Sequence, residues 1–487
     1  MAKRVAVIDI GSNSVRMVIY EKTSRFAFHL LHEAKSKVRI SEDAYKNSGN
    51  LQKIPMERTF DALRDFLTIT SSFKTKKILC VATSALRDAP NKKDFILKVK
   101  SELKLNIKII DGSKEAYLGG IACANLLPEQ ENSLSIDIGG GSTEFSTINK
   151  KDVSNTISLN LGTVRLKELF CDKNKIKEAI KYIDSELEAI KPGKVSSIIG
   201  IGGTFRAISN AIIQNSKYPL NKLHGFECSS SEFEEFIESI LDADETELTQ
   251  LGIKADRFDV IKPGALILSR LLKKISVKKL ITSGVGVREG VFLSDLLRSS
   301  NDKFPSNYNT SVRYILDAYI PDINFSNQLN ILSKKLFDMT HEHLKIDKKY
   351  RSDLAIAAKL YNAGSNIHFY SNNKHSYYLI QSALEYGFTH SQILLIATLT
   401  RFARKKLPSD THMQNYTLLL PNKETLYALS YLLSLSVALL SHKPRNIDFD
   451  FKFSDGTLKI ESKELLYLTK EAVSKLDGID RFKVLFN

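Results

Sequence analysis

The sequence predicts an α/β protein: two domains of one pattern facing a cleft, then an α-helical domain and a small α+β C-terminal module. Three observations carry this. The phrase Ile8-Asp9-Ile10-Gly11-Ser12-Asn13-Ser14 returns as Ile136-Asp137-Ile138-Gly139-Gly140-Gly141-Ser142. From Thr310 to about Ser441, apolar residues recur at spacings of three and four. From Asn446 onward, short strand-type runs surround one helical segment.

Each copy of the repeated phrase closes one strand and opens another. Val5 to Ile10 is an apolar run, Val15 to Tyr20 resumes β-branched and aromatic residues, and Phe145 to Ile148 does so after the second copy. Glycine admits positive φ, and without side chains in the way the amide N–H groups of such a turn converge on an anion. Ser12, Asn13, Ser14, Ser142 and Thr143 add neutral donors. An aspartate at the strand end repels phosphate but can hold a Mg²⁺ that the phosphate shares, which makes Asp9 and Asp137 candidate ligands. Glu144, at the far side of the second turn, can approach the same ion. One copy alone reads equally well as a tight hairpin turn. Two copies imply a duplicated domain, and a cleft between domains is where ligands collect. Neither copy has the Gly-Lys-Ser/Thr ending of a Walker loop.

Between the copies, the strand Ile78 to Ala82 leads to Arg87, and the strand Ile107 to Ile110 leads to Glu115 at the opening of a helix. On local sequence alone, Glu115 reads as a helix N-terminal acid favoured by the macrodipole. After the second copy, the strand Ser197 to Ile201 meets Gly202-Gly203-Thr204 and a helix over Phe205 to Ile213, whose first amides point to the same region. Lys279 to Ser283 repeats the arrangement, with Gly284, Gly286 and Gly290 leading into a helix through Leu297. Lys173 to Ile190 and Ser229 to Leu241 are charge-rich helical excursions. The first domain is expected over 1–124 and the second over 125–300, with polar Asn301 to Asn309 as the linker.

In this order the glycine turns resemble the phosphate and adenosine loops of the actin-like ATPase superfamily. A narrower resemblance rests on Ile8 to Arg16, Val81-Ala82-Thr83-Ser84-Ala85-Leu86-Arg87-Asp88-Ala89, Gly112-Ser113-Lys114-Glu115-Ala116, Asp137 to Glu144, Leu161-Gly162-Thr163-Val164-Arg165-Leu166 and Ser283 to Gly290. These six motifs, in order, look like the exopolyphosphatase / guanosine pentaphosphate phosphohydrolase family. The resemblance covers about the first 300 residues strongly. It implies two actin-like (ribonuclease H-like) domains, with Glu115 as the glutamate that activates water. It also implies Mg²⁺ on Asp9, Asp137 and Glu144, and a phosphate grip by Gly11, Ser12, Asn13, Ser14, Gly139, Gly140, Gly141, Ser142, Thr143, Gly202, Gly203 and Thr204. Arg16, Arg87 and Arg165 are the cations expected along the chain, since guanidinium forks grip phosphate oxygens in two places. By default each would be a solvated surface arginine.

The implied substrates are inorganic polyphosphate and guanosine pentaphosphate, with guanosine tetraphosphate as a product. A kinase or ATPase of the same superfamily is the enzymatic alternative, and a non-catalytic polyphosphate or alarmone sensor the alternative of another class. A requirement for a monovalent cation such as K⁺ stays open. The helical region over 310–441 resembles the His-Asp phosphohydrolase fold, but Leu360-Tyr361-Asn362-Ala363 stands where the His-Asp pair belongs. Tyr and Asn replace imidazole and carboxylate poorly around a divalent ion, so no second metal centre is expected. His341 and His343 are expected on one helix but on different faces. The module over 442–487 reads β-β-α-β around an Asp455-Gly456 turn, and the family implies that its C-terminal modules extend the phosphate path and carry a homodimer interface.

Composition agrees. Lys+Arg number 70 against 55 Asp+Glu, a formal net charge of +15, which favours polyanionic partners. No nucleic-acid motif appears, so nucleic acid is not the expected partner. Cys80, Cys123, Cys171 and Cys228 are far apart and lack zinc spacing, as suits free thiols in a reducing cytoplasm. Asp9 interrupts the first apolar run before it could serve as a secretion signal, and Leu426 to Leu440 is short for a bilayer span and reads as a buried helix.

Overall fold

The computed structural model describes residues 3–404 and 406–486, and the chain divides into two compact units, Met1–Tyr308 and Asn309–Asn487. The first unit holds two sheets. In the first, β1 (Arg4–Ile10), β2 (Val15–Lys22), β3 (Phe28–Ser36), β4 (Lys77–Ala82) and β5 (Ile107–Ile109) lie in the order β3-β2-β1-β4-β5. The second contains β6 (Ser133–Ile138), β7 (Thr143–Asn149), β8 (Asp152–Leu159), β9 (Ser197–Ile201), β10 (Phe226–Ser229) and β11 (Lys279–Thr282), in the order β10-β11-β9-β6-β7-β8.

Apart from the added edge strand β10, the two sheets share one plan. An antiparallel meander of three strands is extended by parallel pairing of its first strand, β1 with β4 and β6 with β9. This is the duplicated ribonuclease H-like topology that the repeated phrase predicted. Alternation buries Ile8 and Ile10 beneath one sheet and Ile136 and Ile138 beneath the other. The aspartates between them, Asp9 and Asp137, are thereby placed on the opposite faces.

The helices do not respect the chain order of the sheets. The Gly112–Leu126 helix, expected to close the first domain, packs on the second sheet: Cys123 and Ala124 share a core cluster with Ile148, Ile199, Ile201 and Ile281. The Val287–Leu296 helix comes from the second segment but packs on the first sheet, with the Phe292 ring 4.4 Å from Tyr20 and 4.7 Å from Phe28. A boundary at 124 therefore separates a helix from the sheet it covers. The reason is burial: the Glu115 helix is apolar on most of its surface, from Ala116 through Ala124, so its sequence does not say which sheet it joins. Other bounds shift locally, and the helix expected over Phe205 to Ile213 begins at Gly202, whose φ of +89° suits glycine.

In the second unit, helices over Thr310–Tyr319, Ile323–Thr340, Tyr350–Leu360, Asn372–Ala383, His390–Phe402 and Lys423–Leu439 enclose Leu329, Leu336, Leu354, Ile393 and Leu432. The tail forms β12 (Phe449–Ser454), β13 (Thr457–Ser462), the helix Tyr467–Ser474 and β14 (Lys483–Phe486). Its Leu458, Ile460 and Phe482 join the same core, so the tail shares one hydrophobic interior with the bundle. At the position of the missing His-Asp pair, Ser376 Oγ donates to the Tyr361 carbonyl (2.9 Å) and accepts from Gly364 N (2.8 Å), filling the place with backbone packing. His341 and His343 follow the Ile323–Thr340 helix instead of lying within it, because that helix ends at Thr340. The segment expected as a buried helix over Leu426 to Leu440 is the buried part of the helix Lys423–Leu439, with Leu440 as its C-cap, and among the described residues no helix is long and apolar enough to cross a membrane.

The two exchanged helices cross at Gly290, where an added Cβ would overlap the Leu118 carbonyl. Gly290→Ala is expected to lower stability by at least about 2 kcal/mol, since main chain must move to admit the methyl. An unchanged thermal midpoint would show that the crossing is loose.

Candidate active site

The two glycine loops are built alike. Gly11 N donates to the Ser14 carbonyl (3.2 Å) and Gly139 N to the Ser142 carbonyl (2.9 Å), closing the same turn in each lobe. Other loop carbonyls are taken up within the protein: Asn13 O accepts from Arg39 N (3.0 Å), and Gly139 O and Gly140 O accept from the amides of Thr163 (3.0 Å) and Val164 (2.8 Å). The loops touch at Gly140, where a Cβ would lie 2.9 Å from Ser12 Cβ. Only glycine permits that approach.

One cleft collects most of the expected groups. Asp9, Gly11, Ser12, Asn13, Ser14 and Arg16 line it from the first lobe. Asp137, Gly139, Gly140, Gly141, Ser142 and Glu144 line it from the second, with Glu115 between them and Gly202, Gly203 and Thr204 at a helix N-terminus. Three expected groups have other employment. The Thr143 hydroxyl donates to the Leu161 carbonyl and is buried. Arg165 Nε donates to Gly141 O (2.9 Å) while its guanidinium lies over the Tyr45 ring (4.6 Å), so it braces the second loop. Arg87 Nη1 donates to Glu115 Oε2 at 2.8 Å and to the Ile110 carbonyl at 3.3 Å. Both arginines are drawn to acceptors nearer than the cleft centre.

The exchanged helix explains where Glu115 sits. Gly112, at its start, packs directly on Ser158, whose hydroxyl donates to Glu144 Oε1 at 2.7 Å. Glu115 is 8% exposed and Glu144 3%. Burial raises the Glu115 carboxyl well above its ordinary value, the Glu144 charge raises it further, and Arg87 opposes both. Burial also pushes Glu144 up to about 7, against hydrogen bonds from Ser142 and Ser158. Asp137 is raised by burial to about 6, with Arg206 as the main opposing charge, and Asp9 is raised by burial against Arg288 and Arg16.

A divalent cation fits part of this donor set. Asp9 Oδ1 and Asn13 Oδ1 are buried without partners, and the Asp137 carboxylate lies beside Gly202 and Gly286. Among the described residues, no three His, Cys, Asp or Glu side chains form a ready metal cluster. Glu144 is turned to Ser158, so the trio Asp9, Asp137 and Glu144 does not gather as a cage. Two carboxylates suffice for Mg²⁺, which keeps waters and takes substrate phosphates as further ligands.

The sequence reading missed Lys35, Lys37, Arg206 and Arg257, all of which line the cleft. It quoted Arg288 and Glu289 in a motif without giving them roles. Arg288 Nη1 pairs with Glu33 (2.7 Å), while Glu289 accepts from Tyr20 Oη (2.6 Å) and Gly286 N (2.7 Å), fixing the last glycine turn to the first sheet. Lys35 carried no signal in the sequence; the β2–β3 register sets it opposite Arg16.

Comparisons with known proteins identify the family of this chain. The profile described as Ppx/GppA phosphatase family matches residues 18–299, and that of the family's domain III matches 309–469. An exopolyphosphatase from Cytophaga hutchinsonii is similar in structure, with 25% identity and a TM-score of 0.57 over 62% of this chain and 100% of that one. An Aquifex aeolicus Ppx/GppA family member gives 29% identity and a TM-score of 0.53 over 62% of this chain and 99% of that one. A bifunctional 3-dehydroquinate synthase/phosphatase from Fusobacterium nucleatum is 34% identical over 290 residues, 55% of this chain and 43% of the relative. The chain thus spans under half the length of that curated relative.

The raised carboxylates imply a stability cost with a definite sign. Glu144 titrates near 7 folded and at its ordinary 4.5 unfolded, so its ionised form destabilises the fold at pH 8 and ceases to do so as pH falls towards 4.5. Glu144→Gln is expected to stabilise the metal-free protein at pH 8 by about 1–3 kcal/mol and by much less at pH 5. Thermal melts at the two pH values check this, and equal shifts at both would remove the buried-charge explanation.

Proposed function

The chain belongs to the Ppx/GppA phosphatase family, and from that premise we propose that it hydrolyses terminal phosphoanhydride bonds. It releases orthophosphate from inorganic polyphosphate and converts guanosine pentaphosphate to the tetraphosphate. The observation that carries this reading is a buried, Arg87-held Glu115 carboxyl with a raised proton affinity, in one cleft with two duplicated anion-binding turns.

Glu115 accepts a proton from a water molecule whose oxygen attacks the terminal phosphorus. The bond from that phosphorus to the bridging oxygen breaks, and the shortened chain leaves with the electron pair. Arg87 orients the carboxylate. Loop amides and the hydroxyls of Ser12 and Ser142 hold the equatorial oxygens, whose charge needs donors already in place. Asp9 and Asp137 are the residues that would hold Mg²⁺, which supplies charge neutralisation to the phosphate oxygens.

Phosphate release from long polyphosphate, guanosine pentaphosphate and ATP, each with and without Mg²⁺, tests the reading. Release from the first two only with Mg²⁺ is expected, and ATP as the only substrate would overturn it. Glu115→Gln should lower turnover about 10²–10⁴-fold while polyphosphate binding stays within a few-fold, because it removes a proton acceptor and leaves the donor loops intact. Near-normal turnover would take the base role from Glu115. Asp137→Asn should shift the Mg²⁺ titration about tenfold or more to higher concentration, a neutral amide being a poor ligand for a hard cation. An unmoved titration would exclude Asp137 from the ion.

A further inference from the structure

Two of the arginines expected along the phosphate chain, Arg87 and Arg165, stand behind the cleft. It is lined by Ser84, Glu115 and Gly141 but, among the described residues, not by Arg87, Arg165 or Asp88. The partners of both arginines are nevertheless groups of the site: Arg87 Nη1 donates to Glu115 Oε2 (2.8 Å), and Arg165 Nε donates to the Gly141 carbonyl (2.9 Å).

One carboxylate joins these two contacts. Asp88 ends the short Ser84–Asp88 helix, and its Oδ1 lies 3.5 Å from Arg87 Nε. Its Oδ2 accepts from Arg165 Nη2 at 3.4 Å and from the Ser84 hydroxyl at 3.1 Å. Contacts therefore run unbroken from the Glu115 carboxyl, through Arg87, Asp88 and Arg165, to the Gly141 carbonyl of the second glycine loop. Asp88 follows β4 of the first sheet, whereas Arg165 belongs to the Thr163–Leu169 helix of the second segment.

Each guanidinium is held on more than one side. Arg87 also donates to the Ile110 carbonyl (3.3 Å), and Arg165 lies over the Tyr45 ring (4.6 Å). A guanidinium is planar with five donors in fixed directions, so acceptors on two of its edges set its orientation. Asp88 itself is exposed. Exposed ion pairs add little to stability, whereas a displacement of about 1 Å in a reacting group costs on the order of 10²-fold in rate. Orientation is what this carboxylate can supply.

We propose that Asp88 is a positioning residue that sets Arg87 on Glu115 and Arg165 on Gly141, and that it keeps both guanidiniums off the phosphates in the cleft. The inference rests on the hydrolytic reading of the same cleft and deepens it. Carboxylate and phosphate compete for the same guanidinium donors. Without the Asp88 charge, Arg87 and Arg165 turn to the nearest other anion, which is substrate or released orthophosphate, and the base and the loop lose their common setting.

The test uses the full chain with Asp88→Asn and Asp88→Ser, which remove the charge, and Asp88→Glu, which keeps it. Rates on long polyphosphate with Mg²⁺ are measured alongside calorimetric binding of orthophosphate without divalent cation. The neutral variants should melt as wild type does, lose about 10–100-fold in kcat with KM not raised, and bind orthophosphate about three- to tenfold more tightly. Asp88→Glu should recover at least half of each change on a logarithmic scale. An unchanged kcat or an unmoved orthophosphate affinity in a folded neutral variant overturns the proposal, as does Asp88→Glu behaving like Asp88→Asn. If wild type releases no phosphate from polyphosphate or guanosine pentaphosphate while the neutral variants still bind orthophosphate more tightly, the hold of Asp88 on the two arginines stands and hydrolysis is overturned instead.

Discussion

The rest of the structure is arranged around one unfavourable interaction: four carboxylates, those of Asp9, Asp137, Glu115 and Glu144, held together in one poorly solvated cleft. Burial raises the proton affinity of each. Such a cluster survives only on a scaffold whose own burial is large, and the two sheets supply it through Ile8, Ile10, Ile136, Ile138 and the helices over them. The cations are distributed to match. Arg87 holds Glu115 by direct contact, and Arg206 and Arg288 act on the aspartates from the glycine turns.

The exchanged helices connect that electrostatic problem to the fold. Glu115 enters the cleft because its helix lies on the second sheet, with Gly112 against Ser158 and Gly120 against Ser146 and Val153. The same packing brings it within electrostatic reach of Glu144. In return, the Val287–Leu296 helix carries Arg288 and Glu289 to the first sheet, where Glu33 and Tyr20 receive them. Each lobe thus holds a functional segment encoded with the other. Bonds from Asp43 N and Tyr45 N to the Glu168 carboxylate, and from Arg39 to Asp259, add further ties between the two parts of this unit.

The second unit is built around a hydrophobic interior, with a local polar network at Tyr361 to Gly364. A serine-centred hydrogen-bond set occupies the place of the His-Asp pair, and the tail strands complete the bundle's hydrophobic core. Within this unit, Leu458, Ile460 and Phe482 make the tail part of one core with the bundle, although the sequence suggested a separate module.

The sequence by itself determined what is local. Strand alternation, the glycine turns and the helical periodicities were legible because each depends on φ preference and on side-chain spacing within about ten residues. The duplicated phrase therefore revealed the leading hairpin of each sheet and the two glycine loops that line the cleft. Only the tertiary structure decided what those groups face. Arg87, Arg165 and Thr143 were read as cleft donors, yet the structure gives them Glu115, Gly141 and Leu161 as partners, all supplied by other elements of the fold. Lys35 became visible only through the β2–β3 register, and Arg206 only once a helix turn was seated over Asp137. Charge pairing and helix docking are settled by long-range packing, and an apolar helix such as Gly112–Leu126 has no local mark that names the sheet it will cover.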